Sequence, residues 1–132
     1  MDKICSSNRN VLKIKEIVME NSKMQECIEK CLACATACTH CASACLQESE
    51  IDMLRECIQT DLECAAICKV AAEVMSLNGK SVSEICQICA AQCNLCAEEC
   101  EKHAAHGMEH CLHCAKVCRE CAEACLSMVS AA

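Results

Sequence analysis

Cys27, Cys31, Cys34, Cys38, Cys41 and Cys45 are separated by 4, 3, 4, 3 and 4 residues. That spacing is the a/d pattern of one helical face, written in cysteine instead of leucine. Cys86, Cys89, Cys93, Cys96 and Cys100 repeat it, and so do Cys111, Cys114, Cys118, Cys121 and Cys125. Cys57, Cys64 and Cys68 occupy the same lattice more sparsely, with Leu54, Asp61, Ala71 and Met75 at its other positions. Nineteen of 20 cysteines therefore fit four stripes, and only Cys5 lies outside them without an assigned role.

What chemistry would use such stripes? Cysteine often serves as a small buried hydrophobe, but nineteen on one lattice is too regular for that alone. Disulfides fit poorly within a helix: i,i+3 and i,i+4 Cβ atoms lie about 5–6 Å apart, and a disulfide wants about 3.8 Å. Iron–sulfur ferredoxins use a C-x₂-C-x₂-C-x₃-C-P run, and this chain has no proline. Di-iron bundles carry inward Glu-x-x-His pairs, which are absent here.

A closed-shell thiophilic metal remains, and thiolates select Cu(I) and Zn. The chain has C-x₃-C pairs at 27/31, 34/38, 41/45, 64/68, 89/93, 96/100, 114/118 and 121/125. Around a two-coordinate ion the sulfurs would lie about 4.5 Å apart, which one helical turn can span, whereas zinc wants tetrahedral sets of four. Linear spacing displays no such closed set. Charge points the same way. A Zn²⁺ with four thiolates leaves 2−, costly to repeat in a dry core, while Cu⁺ and bridging thiolates near one to one stay almost neutral.

The elements that must carry the stripes follow from composition. With no Pro, two Gly and no aromatic residue in 132, the chain reads as long helices with few joints. Ser22 with Gln25, and Ser81 with Glu84, are spaced as capping boxes, Ser49 is placed to cap a second helix, and Gly79 and Gly107 are placed as C-terminal caps. Helices are expected near 23–47, 51–77, 82–105 and 108–129. Their short joints imply an all-α, antiparallel up-down-up-down four-helix bundle over 23–130. Ile28, Ala35, Ala42, Ile58, Ile67, Ala90, Ala97, Val117 and Ala122 flank the stripes and would pack helix on helix. Residues 1–22 form a separate segment whose Val11, Leu12, Ile14, Ile17 and Val18 predict a short amphipathic helix lying against the bundle.

This topology makes the two ends different. One gathers His103, His106, His110 and His113, with Met53 and Met108 nearby, and reads as an entrance where exchangeable ligands pass metal inward; His103 and His110 are the stronger candidates. The other collects Met24, Met75, Val82 and Met128 as an apolar plug, whose methionines need no ligand role. His40 should face outward. Asp61, on a core stripe between Cys57 and Cys64, must hydrogen-bond thiols, bind metal weakly or take up a proton.

The net charge of −7 argues against nucleic acid, which requires clustered Lys and Arg. No basic-then-apolar leader and no run of about 18 apolar residues appears, so neither secretion nor a membrane span is expected. A reducing cytoplasm follows, where metal binding outranks disulfides. No nucleophile–base pair or cofactor loop is present, so no enzyme is expected. Two other readings stay open: a thiol-redox or iron–sulfur electron-transfer protein, and a zinc or cadmium detoxification protein.

The four Cys-striped helices, the repeated C-x₃-C pairs and the His-rich end resemble the bacterial copper storage proteins, in particular their cytosolic branch. The resemblance covers about 23–129. It implies a thiolate core holding many Cu(I) ions, the ligand role for the nineteen stripe cysteines, entry at His103, His110, His106 and His113, and a homotetramer. Copper donor or acceptor proteins would be the partners, without nucleic acid or membrane.

Overall fold

The structure, a computed structural model, describes residues 3–129, with side chains from residue 9 onward. It contains α1 (Lys3–Leu46), α2 (Arg55–Ser76), α3 (Val82–Ala104) and α4 (Glu109–Leu126), with a 3₁₀ turn over Ile51–Leu54 leading into α2. Each helix packs on two neighbours, in the ring α1–α2–α3–α4–α1. Cys27 of α1 meets Cys125 at the end of α4, and Cys45 meets His110 at its start, so the neighbours run antiparallel. Four-helix architecture is as expected from the stripes.

The N-terminal segment is not. Residues 3–46 form one continuous 44-residue helix, not a short helix folded against the bundle. Val11, Leu12, Ile14, Ile17 and Val18 are exposed. Nothing between Lys3 and Leu46 breaks a helix, and propagation adds a hydrogen bond for each residue fixed, so the helix continues. Ser22 therefore sits inside α1 and caps nothing. The other caps also differ: Ser81 precedes α3 but makes no side-chain capping bond, and neither Glu50 nor Leu54, which precede the 3₁₀ turn and α2, supplies one. Ser49 lies one step too early to reach that helix start.

At the C-terminal ends the two glycines part company. Asn78, not Gly79, takes the left-handed conformation, with φ of 50°. Its N–H donates to Met75 O at 2.9 Å and that of Gly79 to Val74 O at 3.1 Å, the paired bonds of a Schellman cap. Gly107 has φ of 87° and closes α3 the same way, its N–H bonding Ala104 O at 3.0 Å. A Cβ there would touch nothing within 4 Å, so Gly107→Ala tests backbone strain alone. It should cost about 1 kcal/mol and lower the thermal midpoint by roughly 3–6 °C; an unchanged melting curve would show the turn relaxing elsewhere.

The core is thin. Its largest fully buried side chains are Leu54, Met75 and Asp61, followed by cysteines. Ala35, Ala42, Ala90, Ala97 and Ala122 seal the seams between helices, with Ile28, Ile58, Ile67 and Val117 half-buried outside them. Small residues let the helices approach until sulfurs meet across the diagonal: Cys34 of α1 lies 3.8 Å from Cys93 of α3. Ion pairs Lys30–Glu120 and Arg119–Glu101 bridge α1 to α4 and α4 to α3 at 3.1 and 2.8 Å. Being exposed and screened by water, each contributes little.

Candidate metal centre

All nineteen stripe cysteines are free thiols with 0% exposure. A heptad spacing drifts slowly around a helix, so each stripe faces the bundle axis along its whole length. Contacts between the stripes form a continuous column of sulfur. From the plugged end upward, Cys27 and Cys31 lie 3.7 and 3.6 Å from Cys125, and Cys121 lies 3.7 Å from Cys31. In the middle, Cys68 and Cys93 are 3.6 Å apart, as are Cys34 and Cys118. Cys38 touches Cys118 and Cys96 at 3.7 and 3.8 Å. Nearer the open end, Cys41 meets Cys111, and Cys57 meets Cys100, each at 3.8 Å. Cys86 is also buried, and Val82 and Met24 pack half-buried against the core.

Two expectations about spacing are corrected here. The C-x₃-C pairs 34/38, 64/68, 89/93 and 114/118 have sulfurs 3.9–4.0 Å apart, closer than linear two-coordination requires. Closed sets of four also exist, including Cys31, Cys89, Cys121, Cys125; Cys34, Cys64, Cys68, Cys93; Cys34, Cys38, Cys64, Cys118; and Cys38, Cys96, Cys114, Cys118. Every such set draws on three or more helices or on both members of a turn, so spacing along a single helix does not reveal it. With metal–sulfur bonds of about 2.3 Å, three- and four-coordinate ions need sulfurs about 3.8–4.0 Å apart. The column fits that requirement before any metal arrives. Geometry alone thus admits zinc. Cys34, Cys64, Cys38 and Cys118 each belong to two of these sets, so adjacent ions must bridge through common thiolates. Bridged Cu⁺ near one to one with thiolate stays almost neutral, whereas Zn²⁺ in separate tetrahedra leaves 2− per ion.

Asp61 is fully buried on the column. Its Oδ1 accepts from Cys96, Cys114 and Cys100 at 3.2, 3.5 and 3.6 Å, and its Oδ2 from Cys57 at 3.8 Å. One carboxyl thus touches thiols of α2, α3 and α4. Burial, reinforced by Cys114 and Cys57 as thiolates, pushes its pKa up to about 8. Cys45 is pushed up to about 12, first by burial and then by Cys57. At Asp61 and Cys45, therefore, metal must displace a proton to enter.

The four histidines divide. His110 is half-buried, with Nε2 3.5 Å from Cys45 Sγ, and completes a set with Cys41, Cys45 and Cys111. His103 is buried, and its Nε2 pairs with Glu99 Oε2 at 3.0 Å. His106 and His113 are exposed; His113 lines an outer groove between α1 and α4 with His40, itself exposed as expected. Met108 is half-buried at this end and Met53 exposed, while Met75, Met24 and Met128 close the other. Glu99 escaped notice in the sequence, although its i,i+4 spacing to His103 was available. In the neutral ring, a proton held on Nε2 by the carboxylate leaves Nδ1 as the free ligand atom.

No helix is long and apolar enough to cross a membrane among the described residues. The copper storage protein family model matches residues 20–130. Among solved structures the chain is similar to the Cu(I)-bound copper storage protein BsCsp3, at 44% identity over 82% of this chain and 99% of that one, with a TM-score of 0.76. It is similar to the cytosolic copper storage protein of Streptomyces lividans with five coppers, at 40% identity, 86% and 98% coverage and a TM-score of 0.80. The same organism's protein loaded with 10 copper equivalents matches at 42%, covering 82% and 86%, with a TM-score of 0.77. Comparison with curated proteins gives no match. A thiol-lined column inside four antiparallel helices, matched by this family's model over its full extent, makes the chain a member of the copper storage protein family.

Proposed function

We propose that the bundle, residues 23–130, stores Cu(I) in bulk on its nineteen stripe thiolates, and that residues 1–22 are an extension to it. The observation that carries the reading is the sharing of fully buried cysteines between adjacent four-sulfur sets. Isolated sites would each need their own ligands; shared thiolates make a chain of bridged ions of low net charge. Asp61 supports the ligands of three helices, accepting their thiol hydrogens before loading and bracing the upper clusters after it. The chain acts by sequestration, without catalysis, in the cytosol, as a homotetramer that exchanges copper with donor and acceptor proteins. Its role is to keep free copper away from thiol and iron–sulfur enzymes.

Fully reduced protein titrated anaerobically with Cu(I) against a coloured chelator tests this. It should withhold well over ten Cu(I) per chain, roughly one per core thiol, while Zn²⁺ saturates near four, about the number of separate tetrahedra nineteen thiols can fill. Saturation at one to four Cu(I), or preference for zinc, sinks the storage reading.

Metal enters at the histidine end, first at His110 beside Cys45, with His103 held in position by Glu99. His106 offers an outermost donor at the rim, and His113 contributes least, since it faces the outer groove. His103→Ala/His110→Ala should slow Cu(I) uptake several-fold in stopped-flow mixing and leave capacity within about one or two ions of wild type. Unchanged rates would place entry elsewhere.

A further inference from the structure

Between α2 and α3, on the outside of the bundle, runs a groove of about 310 Å³. Glu56 and Glu63 of α2 and Glu98 and Glu99 of α3 line it, together with Gln92 and Lys102. Glu56, Glu63 and Glu98 form no ion pair among the described residues. Lys102 pairs with Glu99 at 3.0 Å, and Glu99 first, then Glu56 and Glu98, raise its pKa. Four carboxylates thus share one ammonium. Surface glutamates alone would be an ordinary solvated face, but Gln92 is different. It is 7% exposed, and its buried Nε2 donates to no acceptor. A donor left unsatisfied in a packed seam is costly, and such groups are rare.

An occupant must satisfy both the carboxylates and the amide. Anions are repelled by the glutamates. A bare cation or a polyamine pairs with the carboxylates but offers Gln92 no acceptor. A basic peptide supplies both, with ammonium or guanidinium groups for the glutamates and a backbone carbonyl for the amide. Its backbone also carries N–H groups, so it satisfies the amide whichever way the two ends are turned. We propose that this groove binds a basic, extended segment of the protein that exchanges copper with this chain, which deepens the storage reading above and rests on it. Glu56 and Glu63 lie about 10 Å apart along α2, the reach of about three extended residues. Two basic side chains at that spacing meet both ends, and exposed Leu95 on the wall packs against their stems. Glu99 joins the groove to the entrance, because its Oε2 holds His103 Nε2 at 3.0 Å. A segment docked here therefore sits beside the histidine end, and the net charge of −7 steers it there.

The test uses the isotope-labelled, full-length, reduced, metal-free chain in heteronuclear NMR. The probe is an end-capped alanine peptide with two lysines three residues apart. As it is added, the Gln92 side-chain N–H2 signals and the amides of 56–63 and 92–102 should shift together. Glu63→Gln/Glu98→Gln should weaken binding about fivefold. Glu26→Gln/Glu123→Gln makes the same charge change in the groove between α1 and α4 and should alter it less than about twofold. Gln92→Met, of similar length without the donor, should weaken binding several-fold and raise the thermal midpoint of the free protein. Spermidine, charged but without a carbonyl, should leave the Gln92 signals in place. Unmoved Gln92 signals on peptide addition, equal effects of peptide and spermidine, equal losses from the two glutamate pairs, or full affinity in Gln92→Met would overturn the inference. Binding is read without metal, so this titration and the copper titration fail independently.

Discussion

Cu(I)-loaded protein should melt roughly 20 °C or more above the reduced, metal-free protein. The metal-free interior holds mainly cysteine and alanine, with Leu54 and Met75 as the larger fully buried apolar side chains among the described residues. Thiols touching at 3.6–4.0 Å are weak donors and acceptors. Burial of such small groups yields less than the Leu, Ile and Phe of an ordinary core. Ions change the balance. A ligand that binds only the folded state at a hundred times its dissociation constant adds about 2.7 kcal/mol per site. More than ten of them exceed the whole stability of a typical domain, about 5–15 kcal/mol. Bridging thiolates also tie α1, α2, α3 and α4 directly to one another. Anaerobic calorimetry of both forms at equal concentration measures the difference, and coincident transitions would refute a metal-filled core. Because burial holds Cys45 protonated up to about pH 12, loading should release protons and weaken as the solution is acidified.

Asp61→Asn should stabilise the metal-free protein at pH 8 by several kcal/mol, at most about 5, and leave it nearly unchanged at pH 4. The sign follows from the raised pKa of about 8, whose leading cause is burial. In the unfolded chain the carboxyl ionises near pH 4, while in the fold it keeps its proton until about pH 8. Between those values the folded state binds the extra proton, so stability falls as pH rises, and above pH 8 the full penalty persists. Below pH 4 both states are protonated and the residue costs nothing through this route. Asparagine has the same shape, stays neutral, and keeps an oxygen for Cys96, Cys114 and Cys100. Urea unfolding at the two pH values reads the effect directly. A variant no more stable than wild type at pH 8 would mean that the carboxylate finds compensation the thiols do not provide. A destabilising buried acid retained among ligands is what a site organised for function, not for stability, would contain.

The alternatives separate on the same physical grounds. A disulfide framework needs pairs shaped for covalent bonds, and the core thiols are free and evenly spaced instead. Zinc finds four-sulfur sets, but Cys34, Cys38, Cys64 and Cys118 cannot each complete two separate tetrahedra without bridging. Separate tetrahedra leave 2− per zinc in a place with little water to screen it, and shared ones still hold far fewer ions than one per thiolate.

Helix number, the inward face of each helix, the buried set and the two unlike ends were all legible in the sequence, because a heptad repeat of one residue type states which face is shared. Even the irregular second stripe read correctly: Leu54, Asp61, Ala71 and Met75 are buried where the lattice places them. The caps were less legible. Ser22 and Ser81 carry the right neighbours at the right spacing, but a capping signal has meaning only where the helix stops, and nothing stops α1 at residue 22. Asn78 displaced Gly79 because a left-handed residue can be either, and the register of the turn chose between them.

What only the tertiary structure decided concerns distances between helices. Four-sulfur sets, the Glu99–His103 pair with its consequence for Nδ1, and the separation of His110 from His113 depend on how helices are rotated and how closely they approach. Alanine and cysteine in the seams let them approach closely, and that approach is a property of the packed bundle, not of any one helix. The extension shows the converse. Its apolar stripe is plain in the sequence, but pattern alone assigns no partner, and continuous helix propagation carried the stripe away from the bundle that was expected to cover it. The sequence by itself therefore determined that sulfur fills the core; the packing of four helices determined that the sulfurs are shared.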